Sequence, residues 1–447
     1  MDRRTFSRLT GTGLAGAWIG LPARPRSGAS DGGQVARVDR ARLLERMSQL
    51  ATFGANEDGG IDRVAFSDAN LEARDWVVEL LEKAGFRTHM DLVGNLIGRR
   101  EGTDSALPPI MFGSHIDSVP GGGNYDGQVG SLAAVEVATT LSDAGLSTRH
   151  PLEVAIFSNE EGGKTGSRAL VGEVFPFELD IQTASGFTIG EGLRRLGGDP
   201  DRLRDAIREP GSLAAFLELH VEQGAVLHED ALDIGVVEGI VGIMRWNVLV
   251  EGETNHAGST PMERRSDAMV GAARFVDAVH TIALDMPGRQ VATVGRLLAE
   301  PGAPNVIPGR VRMTLEIRDL SMDGVERTFA AIQNASDRIG ANSGVTFSYE
   351  RFYVSRAAPT DARIRDVVEA SAHDLGLSSM RMPSGAGHDA QSIALLCPIG
   401  MIFVPSIDGI SHAPEERTAD DDVANGADVL LHTLLSIDRN GLGSPQG

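Results

Sequence analysis

The sequence predicts an α/β protein in which a mainly parallel sheet forms a larger domain and a ferredoxin-like α+β domain is inserted into it. Three observations support this prediction. Short apolar runs that end in polar residues alternate with helical stretches, the pattern changes near Ile243, and the first pattern resumes near Pro359. We therefore expect the larger domain at residues 36–242 and 358–440, and the inserted domain at residues 243–357.

The larger domain is expected to begin with helix, because apolar residues between Arg40 and Gly94 recur on one helical face. Four apolar runs then read as buried strands: PPIMFGSHID, LEVAIFSNEE, AAFLELHVEQ and IGMIFVPS. Strands that are apolar throughout are typical of a parallel sheet covered on both faces. The carboxyl ends of such strands share one edge, where sites form. We therefore expect the polar ends of these runs to meet there.

The inserted domain is predicted from the order strand, helix, strand, strand, helix, strand between residues 243 and 357. Its first strand is IMRWNVLVEGE, and an amphipathic helix follows within MERRSDAMVGAARFVDAVHTIAL. The sequence predicts that this helix begins near residue 261. The signals are Thr260 as the cap, Pro261 at the first helical position and Glu263 as the capping-box partner.

Composition excludes several classes of function. The chain carries 41 Lys plus Arg against 62 Asp plus Glu, a formal net charge of −21, which disfavours binding to nucleic acid or to anionic lipid. Cys397 is the only cysteine, so the chain has neither an internal disulfide nor a Cys-based metal cage. Any metal must therefore be bound by His and carboxylate side chains.

The N-terminal segment is typical of an export signal. Arg3 and Arg4 precede Phe6 and the apolar run LTGTGLAGAWIGL, and small residues allow cleavage after Ala29. We expect a twin-arginine signal peptide at residues 1–29, export to the periplasm or the medium, and no membrane association after cleavage. A short membrane anchor and a basic terminus without function are the alternatives, but the apolar run falls short of the roughly 20 residues that span a bilayer.

The strand ends carry the candidate chemistry. His115 and Asp117 are two residues apart, so on a strand they share a face where Asp117 can accept a hydrogen bond from the imidazole, and a Gly-rich turn returns Asp126 to the same edge. Glu160 and Glu161 end the second apolar run, so one can bind a metal while the other serves as a base. His220, with Gln223 nearby, ends the third run, and His412 lies in a fourth loop.

Each of these residues has an ordinary alternative as an exposed or structural polar group, but together they form a suitable set for two zinc-like ions. One shared carboxylate would bridge the ions, and a water would lie between them. Glu160 would take the proton of that water and pass it to the leaving nitrogen. We expect zinc, with manganese, cobalt and nickel as alternatives.

The motifs resemble those of the amidase, hydantoinase and carbamoylase family of binuclear metal hydrolases. This family includes N-carbamoyl-L-amino acid hydrolases, beta-ureidopropionases and allantoate amidohydrolases. The resemblance covers about residues 40 to 435 and is carried by GSHIDSVPGGGNYDGQVG, NEEG with GSRAL, ELHVEQG, TNHAGSTPM, PNVIPG, PSGAGHDAQ and GISHAPEE.

The resemblance implies a role for each matching residue. One metal would be bound by His115, Asp126 and His220 and the other by Asp126, Glu161 and His412, with Asp126 as the bridge and Glu160 as the general base. His256 would stabilise the transition state, and Asn305 and Gln223 would contact substrate. Arg318 would bind the substrate carboxylate, which its bidentate guanidinium suits; a surface ion pair is the alternative. A homodimer with a closing lid is also implied.

Two departures from the family pattern lie on the substrate side. Gly162, Gly163 and Lys164 replace a common serine, arginine and phenylalanine, and Asp319 follows Arg318 where histidine is frequent. These departures do not affect the metal ligands, but they bear on which substrate is cut. From the resemblance, the expected substrate is a small ureido or N-carbamoyl acid, with allantoate and dipeptides or acylated amino acids as alternatives. A secreted binding protein without activity is the remaining alternative, and the intact catalytic positions disfavour it.

Overall fold

The computed structural model of the protein describes residues 36–443, so the predicted signal peptide lies outside the described residues. The α-helices are α1 (Arg40–Leu50), α2 (Asp68–Lys83), α3 (Gln128–Asp143), α4 (Thr165–Ala169), α5 (Ile189–Arg195), α6 (Val226–Glu229), α7 (Ala268–Asp285), α8 (Met322–Ser343), α9 (Ala362–Asp374), α10 (Asp389–Ile393) and α11 (Asp420–Asn440). Single 3₁₀ segments lie at Pro176–Asp180, Pro200–Ala206, Met262–Arg264 and Ile407–Gly409.

The strands form two main sheets and one short pair. In chain order they are β1 (Arg87–Met90), β2 (Leu96–Arg100), β3 (Ile110–His115), β4 (Leu152–Phe157), β5 (Ala215–Val221), β6 (Ile234–Ile240), β7 (Gly242–Glu251), β8 (Asn255–His256), β9 (Val291–Glu300), β10 (Val306–Ile307), β11 (Arg310–Asp319), β12 (Thr346–Ser355), β13 (Ala358–Pro359), β14 (Ser379–Ser384) and β15 (Ile399–Val404).

The larger sheet has the order β1-β2-β4-β3-β5-β15-β6-β13, with β14 paired to β6. Its central strands β4, β3, β5 and β15 are mutually parallel, and every residue in them is buried. Helices α3 and α11 pack together and against this sheet. The predicted mainly parallel α/β fold is therefore confirmed, and the four apolar runs form the central strands.

The second sheet has the order β12-β7-β11-β9 and is antiparallel. Along the chain its elements run β7, α7, β9, β11, α8, β12, which is the ferredoxin-like order. Alternate residues of β7 and β11 are buried and form a hydrophobic core with α7 and α8, including Trp246, Val248, Phe275, Leu315 and Ile332. Period-two burial on one face is what a sheet covered by helices on one side requires.

The predicted start of the helix in the second domain is wrong. α7 begins at Ala268 and is capped by Asp267, whose carboxylate accepts from the backbone N–H groups of Met269 and Val270 at 2.9 and 3.2 Å. Residues 257–265 instead form a loop with a 3₁₀ turn at Met262–Arg264, and the guanidinium of Arg265 donates to the carbonyls of Ala257 and Thr260 at 2.6 and 2.9 Å. These hydrogen bonds between a side chain and the backbone outweigh the capping preference of Thr260.

No helix within residues 36–443 has both the length and the apolar character needed to cross a bilayer.

Candidate metal centre and active site

The parallel strands bring two imidazoles to one edge of the sheet. His115 is the last residue of β3, and His220 is the second-last residue of β5. Both are buried, and their ring centroids lie 5.9 Å apart. Since β3 and β5 are parallel neighbours, their carboxyl ends place these two side chains side by side.

Asp126 reaches the same edge through the Gly-rich turn that precedes α3. Gly127, the residue before α3, has a φ of 73°, a conformation that L side chains rarely adopt. A Cβ at this position would lie 2.3 Å from the ring of His115. Glycine is therefore required for Asp126 and His115 to approach each other.

The two oxygens of Asp126 face two different groups of side chains. Oδ1 lies 3.6 Å from Nε2 of His115 and 3.2 Å from Nε2 of His220. Oδ2 lies 3.1 Å from Nε2 of His412, which is itself 3.6 Å from Oε2 of Glu161. The structure thus brings together all five residues that sequence analysis selected as metal ligands, in two groups that share Asp126.

These separations fit metal coordination. Atoms bound about 2.1 Å from one tetrahedral ion lie about 3.4 Å apart, which is close to the distances within each group. Nδ1 of His115 lies 3.0 Å from the carbonyl of Asp117, and Nδ1 of His220 lies 2.9 Å from the carbonyl of Val221. Such contacts orient both rings so that Nε2 is directed at Asp126, as metal-binding histidines require.

The expected side-chain hydrogen bond between His115 and Asp117 is not formed. Nδ1 of His115 lies 3.8 Å from Oδ1 of Asp117, and the main-chain carbonyl of Asp117 contacts the ring instead. Strand β3 ends at His115, so the strand rule that puts alternate residues on one face does not apply to Asp117. Its carboxylate instead accepts from the backbone N–H of Glu161 at 3.1 Å and faces that of Glu160 at 3.4 Å.

The two glutamates lie on a strained turn after β4. Asn159 and Lys164, on either side of them, have φ values of 53° and 58°, which cost about 1–3 kcal/mol each in residues other than glycine. Oε2 of Glu160 lies 3.8 Å from Nε2 of His115, whereas Glu161 turns towards His412. The adjacent carboxylates therefore face different parts of the centre, as expected for two separate tasks.

The ionisable side chains of the centre strongly affect one another's pKa values. Burial raises the pKa of Glu160 to about 7, with further contributions from Asp117 and Asp126. Burial, Asp126 and Glu160 together raise the pKa of Glu161 to about 8. The pKa of Asp126 stays well below its usual value, because the imidazoles of His220, His115 and His412 outweigh its burial. A cation between these carboxylates relieves such repulsion, so the donor set fits divalent metals.

Glu416 supports the centre, although sequence analysis did not select it. Its Oε1 accepts from the backbone N–H groups of Tyr125 and Asp126 at 2.8 and 2.9 Å. Its Oε2 accepts from the hydroxyl of Ser411 at 2.9 Å and from the backbone N–H of His412 at 3.2 Å. Glu416 thus ties together the loops that carry two of the proposed ligands. Its place four residues after His412 is the only local signal in the sequence.

His388 is a second residue that sequence analysis gave no role. It is buried, with its ring centroid 4.3 Å from that of His220 and its Nε2 2.8 Å from the hydroxyl of Ser384. Glu218 completes this cluster, but its two oxygens already accept from Ser114 Oγ and the backbone N–H of Ala390 at 2.8 and 2.9 Å. This cluster therefore packs behind His220 and supports it.

Gln223 contacts the metal centre directly, whereas Arg318 reaches from the second sheet to the loop that follows β14. Gln223 has a φ of 59° and donates from Nε2 to Oδ2 of Asp126 at 2.5 Å, while its buried Oε1 has no hydrogen-bond partner among the described residues. Arg318 donates to Glu316 Oε1 at 2.7 Å and to the carbonyl of Gly385 at 2.6 Å. Arg318 of the second sheet thus contacts the loop that leads to His388.

His256 and Asn305 lie together in the second domain's segment. Residues 255–256 and 306–307 form the short antiparallel pair β8–β10, and both side chains are exposed. Nδ1 of His256 accepts from the backbone N–H groups of Gly258 and Ser259 at 3.0 and 3.1 Å, so Nε2 faces outward. No hydrogen bond or ion pair within the described part of the chain joins either residue to the ligand groups.

Comparison with known proteins identifies relatives along nearly the whole chain. Residues 111–436 match peptidase family M20/M25/M40. An N-carbamoyl-L-amino acid amidohydrolase of Geobacillus stearothermophilus is 40% identical over 405 residues, which cover 90% of this chain and 99% of that protein. A ureidoglycolate hydrolase of Arabidopsis thaliana is 34% identical, with 90% of this chain and 87% of that protein covered.

Solved structures agree with these sequence relatives. An amidase of the hydantoinase/carbamoylase family from Burkholderia multivorans superposes with a TM-score of 0.82 at 37% identity, covering 90% of this chain and 98% of that one. The sequence motifs, the fold and these similarities agree. The protein therefore belongs to peptidase family M20/M25/M40, within which it is a hydrolase related to the hydantoinase/carbamoylase amidases and the N-carbamoyl-L-amino acid amidohydrolases.

Proposed function

We propose that this protein is a binuclear metal-dependent amidohydrolase that cleaves the carbamoyl amide bond of N-carbamoyl-L-amino acids. The observation that carries this proposal is the position of Asp126, whose two oxygens face separate groups of ligand side chains, with Glu160 beside one of them. The similarity to N-carbamoyl-L-amino acid amidohydrolases over 90% of the chain supports the substrate class.

Two divalent ions, zinc in our proposal with manganese, cobalt and nickel as alternatives, would be held by the two groups. His115 and His220 would bind one ion, Glu161 and His412 the other, and Asp126 both. When bound, such ions lower the pKa of an attacking water and polarise the scissile carbonyl. The short distances among the donor atoms and the unpartnered Oε1 of Gln223 beside them support a site for ions and substrate.

Glu160 would move the proton. Its carboxylate takes a proton from the attacking water and delivers it to the leaving nitrogen when the bond between the carbamoyl carbon and that nitrogen breaks. Water thus converts the substrate into the free amino acid and carbamic acid, which decomposes to carbon dioxide and ammonia. Burial of Glu160 suits this task, since a base needs a pKa near the working pH.

The remaining predicted residues would bind the substrate. The guanidinium of Arg318 would bind the substrate carboxylate. The amide oxygen of Gln223, whose Nε2 contacts Asp126, would accept from an N–H group of the substrate. Exposed His256 and Asn305 would act after closure of a lid or from a second copy of the chain. The segment 243–357 would then be the lid and dimerisation domain, and the protein a homodimer.

Ureide hydrolysis is the second candidate function, because an Arabidopsis ureidoglycolate hydrolase is 34% identical over 417 residues. Its chemistry would use the same metal ligands and the same base. Allantoate belongs to this class of substrates.

A substrate panel tests the proposal. Purified, metal-loaded protein should hydrolyse N-carbamoyl-L-amino acids with a kcat/KM at least about tenfold above that for allantoate, ureidoglycolate, 3-ureidopropionate and dipeptides. Replacing the substrate carboxylate by a carboxamide should lower kcat/KM by about tenfold or more, because the charged partner of Arg318 is lost. Ammonia release measures hydrolysis of the carbamoyl and ureido compounds, and release of free amino acids measures hydrolysis of the dipeptides. A preference for the ureides or dipeptides would contradict the proposed substrate class.

Export is a separate proposal, based on Arg3, Arg4 and the apolar run that follows them. Changing both arginines to lysine keeps the charge, but it removes the guanidinium pair that a twin-arginine signal requires. We expect the variant to stay inside the cell, as measured by immunoblotting of cell fractions. Changing Arg24 and Arg26 to lysine is the matched control and should leave export intact. Equal export of the Arg3→Lys/Arg4→Lys variant would refute the signal.

A further inference from the structure

A cleft of about 560 Å³ adjoins the metal centre on the side of Gln223. One wall is formed by residues 222–226 and the other by β14 and the loop after it, with Arg289 of the second sheet's segment at the rim. Two residues that line the cleft connect it to the metal centre and to Arg318. Gln223 contacts Asp126, and Gly385 accepts a hydrogen bond from Arg318. The cleft therefore begins between the metal ligands and the proposed carboxylate-binding residue.

The side chains that line the cleft are mainly apolar. Their aliphatic or thioether surface comes from Val226, Met380, Met382, Pro383 and Ala386. Methionine side chains are unbranched and flexible, so they adapt to apolar groups of different shape. A volume of this size lies within the range of small-molecule sites.

The charged groups that line the cleft are neutralised by partners. The guanidinium of Arg289 pairs with the carboxylate of Glu238, and that of Arg381 pairs with Asp366 and Glu369 at 2.7 and 2.6 Å. The carboxylate of Glu222 accepts from the backbone N–H groups of Val226 and Leu227 at 2.9 and 2.8 Å. An acidic or basic group entering the cleft would therefore lose water without gaining an unpaired partner.

The covalent structure of the substrate determines which of its groups can occupy the cleft. In an N-carbamoyl-amino acid, the carboxylate and the side chain are attached to the same carbon, one nitrogen away from the scissile carbonyl. When the carbonyl lies at the metal centre and the carboxylate at Arg318, the side chain must enter space next to both. The cleft beside Gln223 and Gly385 meets this requirement.

A smaller cavity of about 210 Å³ beside Glu161 is the competing location. It is lined by apolar residues that include Val64, Val119, Ile181 and Ile189. No guanidinium lines it, so a carboxylate on the same carbon as a side chain placed there would have no cationic partner. This cavity therefore lies on the wrong side of the centre for the amino acid side chain.

We infer that the cleft lined by Val226, Met380 and Met382 binds the side chain of the substrate, an inference that rests on the proposed function. The cleft selects long apolar side chains, such as those of methionine, leucine and phenylalanine. Short side chains leave the methionines in contact with water, and charged ones are desolvated without compensation. The expected preference is about fourfold in kcat/KM for each added methylene group.

The test compares N-carbamoyl-L-methionine with N-carbamoylglycine and N-carbamoyl-L-aspartate. In the wild-type enzyme we expect the methionine compound to exceed the other two by more than tenfold in kcat/KM. Val226→Asp places a carboxylate on the cleft wall at a position that is 44% exposed, and should reduce the methionine-to-glycine ratio at least tenfold. Met380→Ala should reduce it about threefold or more.

Ile181→Asp is the matched control, because Ile181 is 48% exposed and lines the cavity beside Glu161. It should leave the methionine-to-glycine ratio unchanged. If Ile181→Asp loses the preference for the methionine compound and Val226→Asp keeps it, the substrate side chain binds in the cavity beside Glu161. That result would overturn the inference. Equal kcat/KM for all three compounds would overturn the inference alone, whereas no hydrolysis of any carbamoyl compound would overturn the proposed function with it.

Discussion

Glu160→Gln is expected to lower kcat by about 100- to 10,000-fold, because the amide cannot accept the proton of the attacking water. The substitution keeps the size of the side chain, and Glu160 is not one of the five proposed ligands. Metal content should therefore stay close to that of the wild type, while turnover is lost. Steady-state kinetics and elemental analysis of the same preparation measure both quantities.

Glu415→Gln provides the control, since Glu415 is an exposed carboxylate in the loop that follows His412. Its kcat should match that of the wild type. A Glu160→Gln enzyme that retains more than about a tenth of the wild-type kcat would show that another group acts as the base.

Asp126→Ala is expected to abolish binding of both metals, because Asp126 is the residue shared by the two ligand groups. The wild-type protein should contain about two divalent ions per chain and lose its activity when a chelator removes them. Asp126→Ala should retain fewer than one ion per chain and lose at least about 1,000-fold in kcat/KM. His412→Ala, which alters one group, should retain about one ion.

His228→Ala is the matched control for His412→Ala, because the His228 side chain is 41% exposed and His228 belongs to neither ligand group. It should keep both ions and full activity. Metal-free wild-type protein that remains fully active would refute the mechanism, and Asp126→Ala protein that still holds two ions would refute the bridging role.

Hydrogen bonds to the ligand side chains and to their loops keep the metal centre in shape although its carboxylates repel one another. Glu416 connects the turn at Asp126 to the loop at His412, and backbone carbonyls orient His115 and His220. His412 and Gln223 adopt left-handed backbone conformations, with φ values of 58° and 59°. Strained residues of this kind persist where the surrounding structure determines them, and here they direct side chains at Asp126.

Apolar runs and the residues after them were sufficient to predict the larger sheet and its edge. The runs that contain His115 and His220 form buried parallel strands, because strands covered on both faces must be apolar throughout. The same logic placed Glu160 and Glu161 just after β4. Burial patterns of this kind are local, so the sequence alone reveals them.

Other features depend on contacts between side chains and backbone that the local sequence signals do not reveal. The sequence signals at Thr260 and Pro261 predicted a helix start that the structure places at Ala268, because Arg265 holds the intervening loop. Asp117 was expected to contact the His115 ring through its carboxylate, but the chain leaves the strand at His115 and turns that carboxylate towards the backbone of Glu161. Neither contact follows from residue type and spacing alone.

By itself, the sequence determined the α/β fold, the family and the set of residues that could bind metals, because these depend on residue type, order and the burial of strands. The family resemblance also implied how the set divides between two ions, but only the tertiary structure shows the distances and orientations within each group. Asp126 turns one oxygen towards His115 and His220 and the other towards His412. Glu416 joins loops 290 residues apart, and the methionine-lined cleft opens beside Gln223. Distances between side chains that are remote in the chain arise only when the strands, turns and loops pack together.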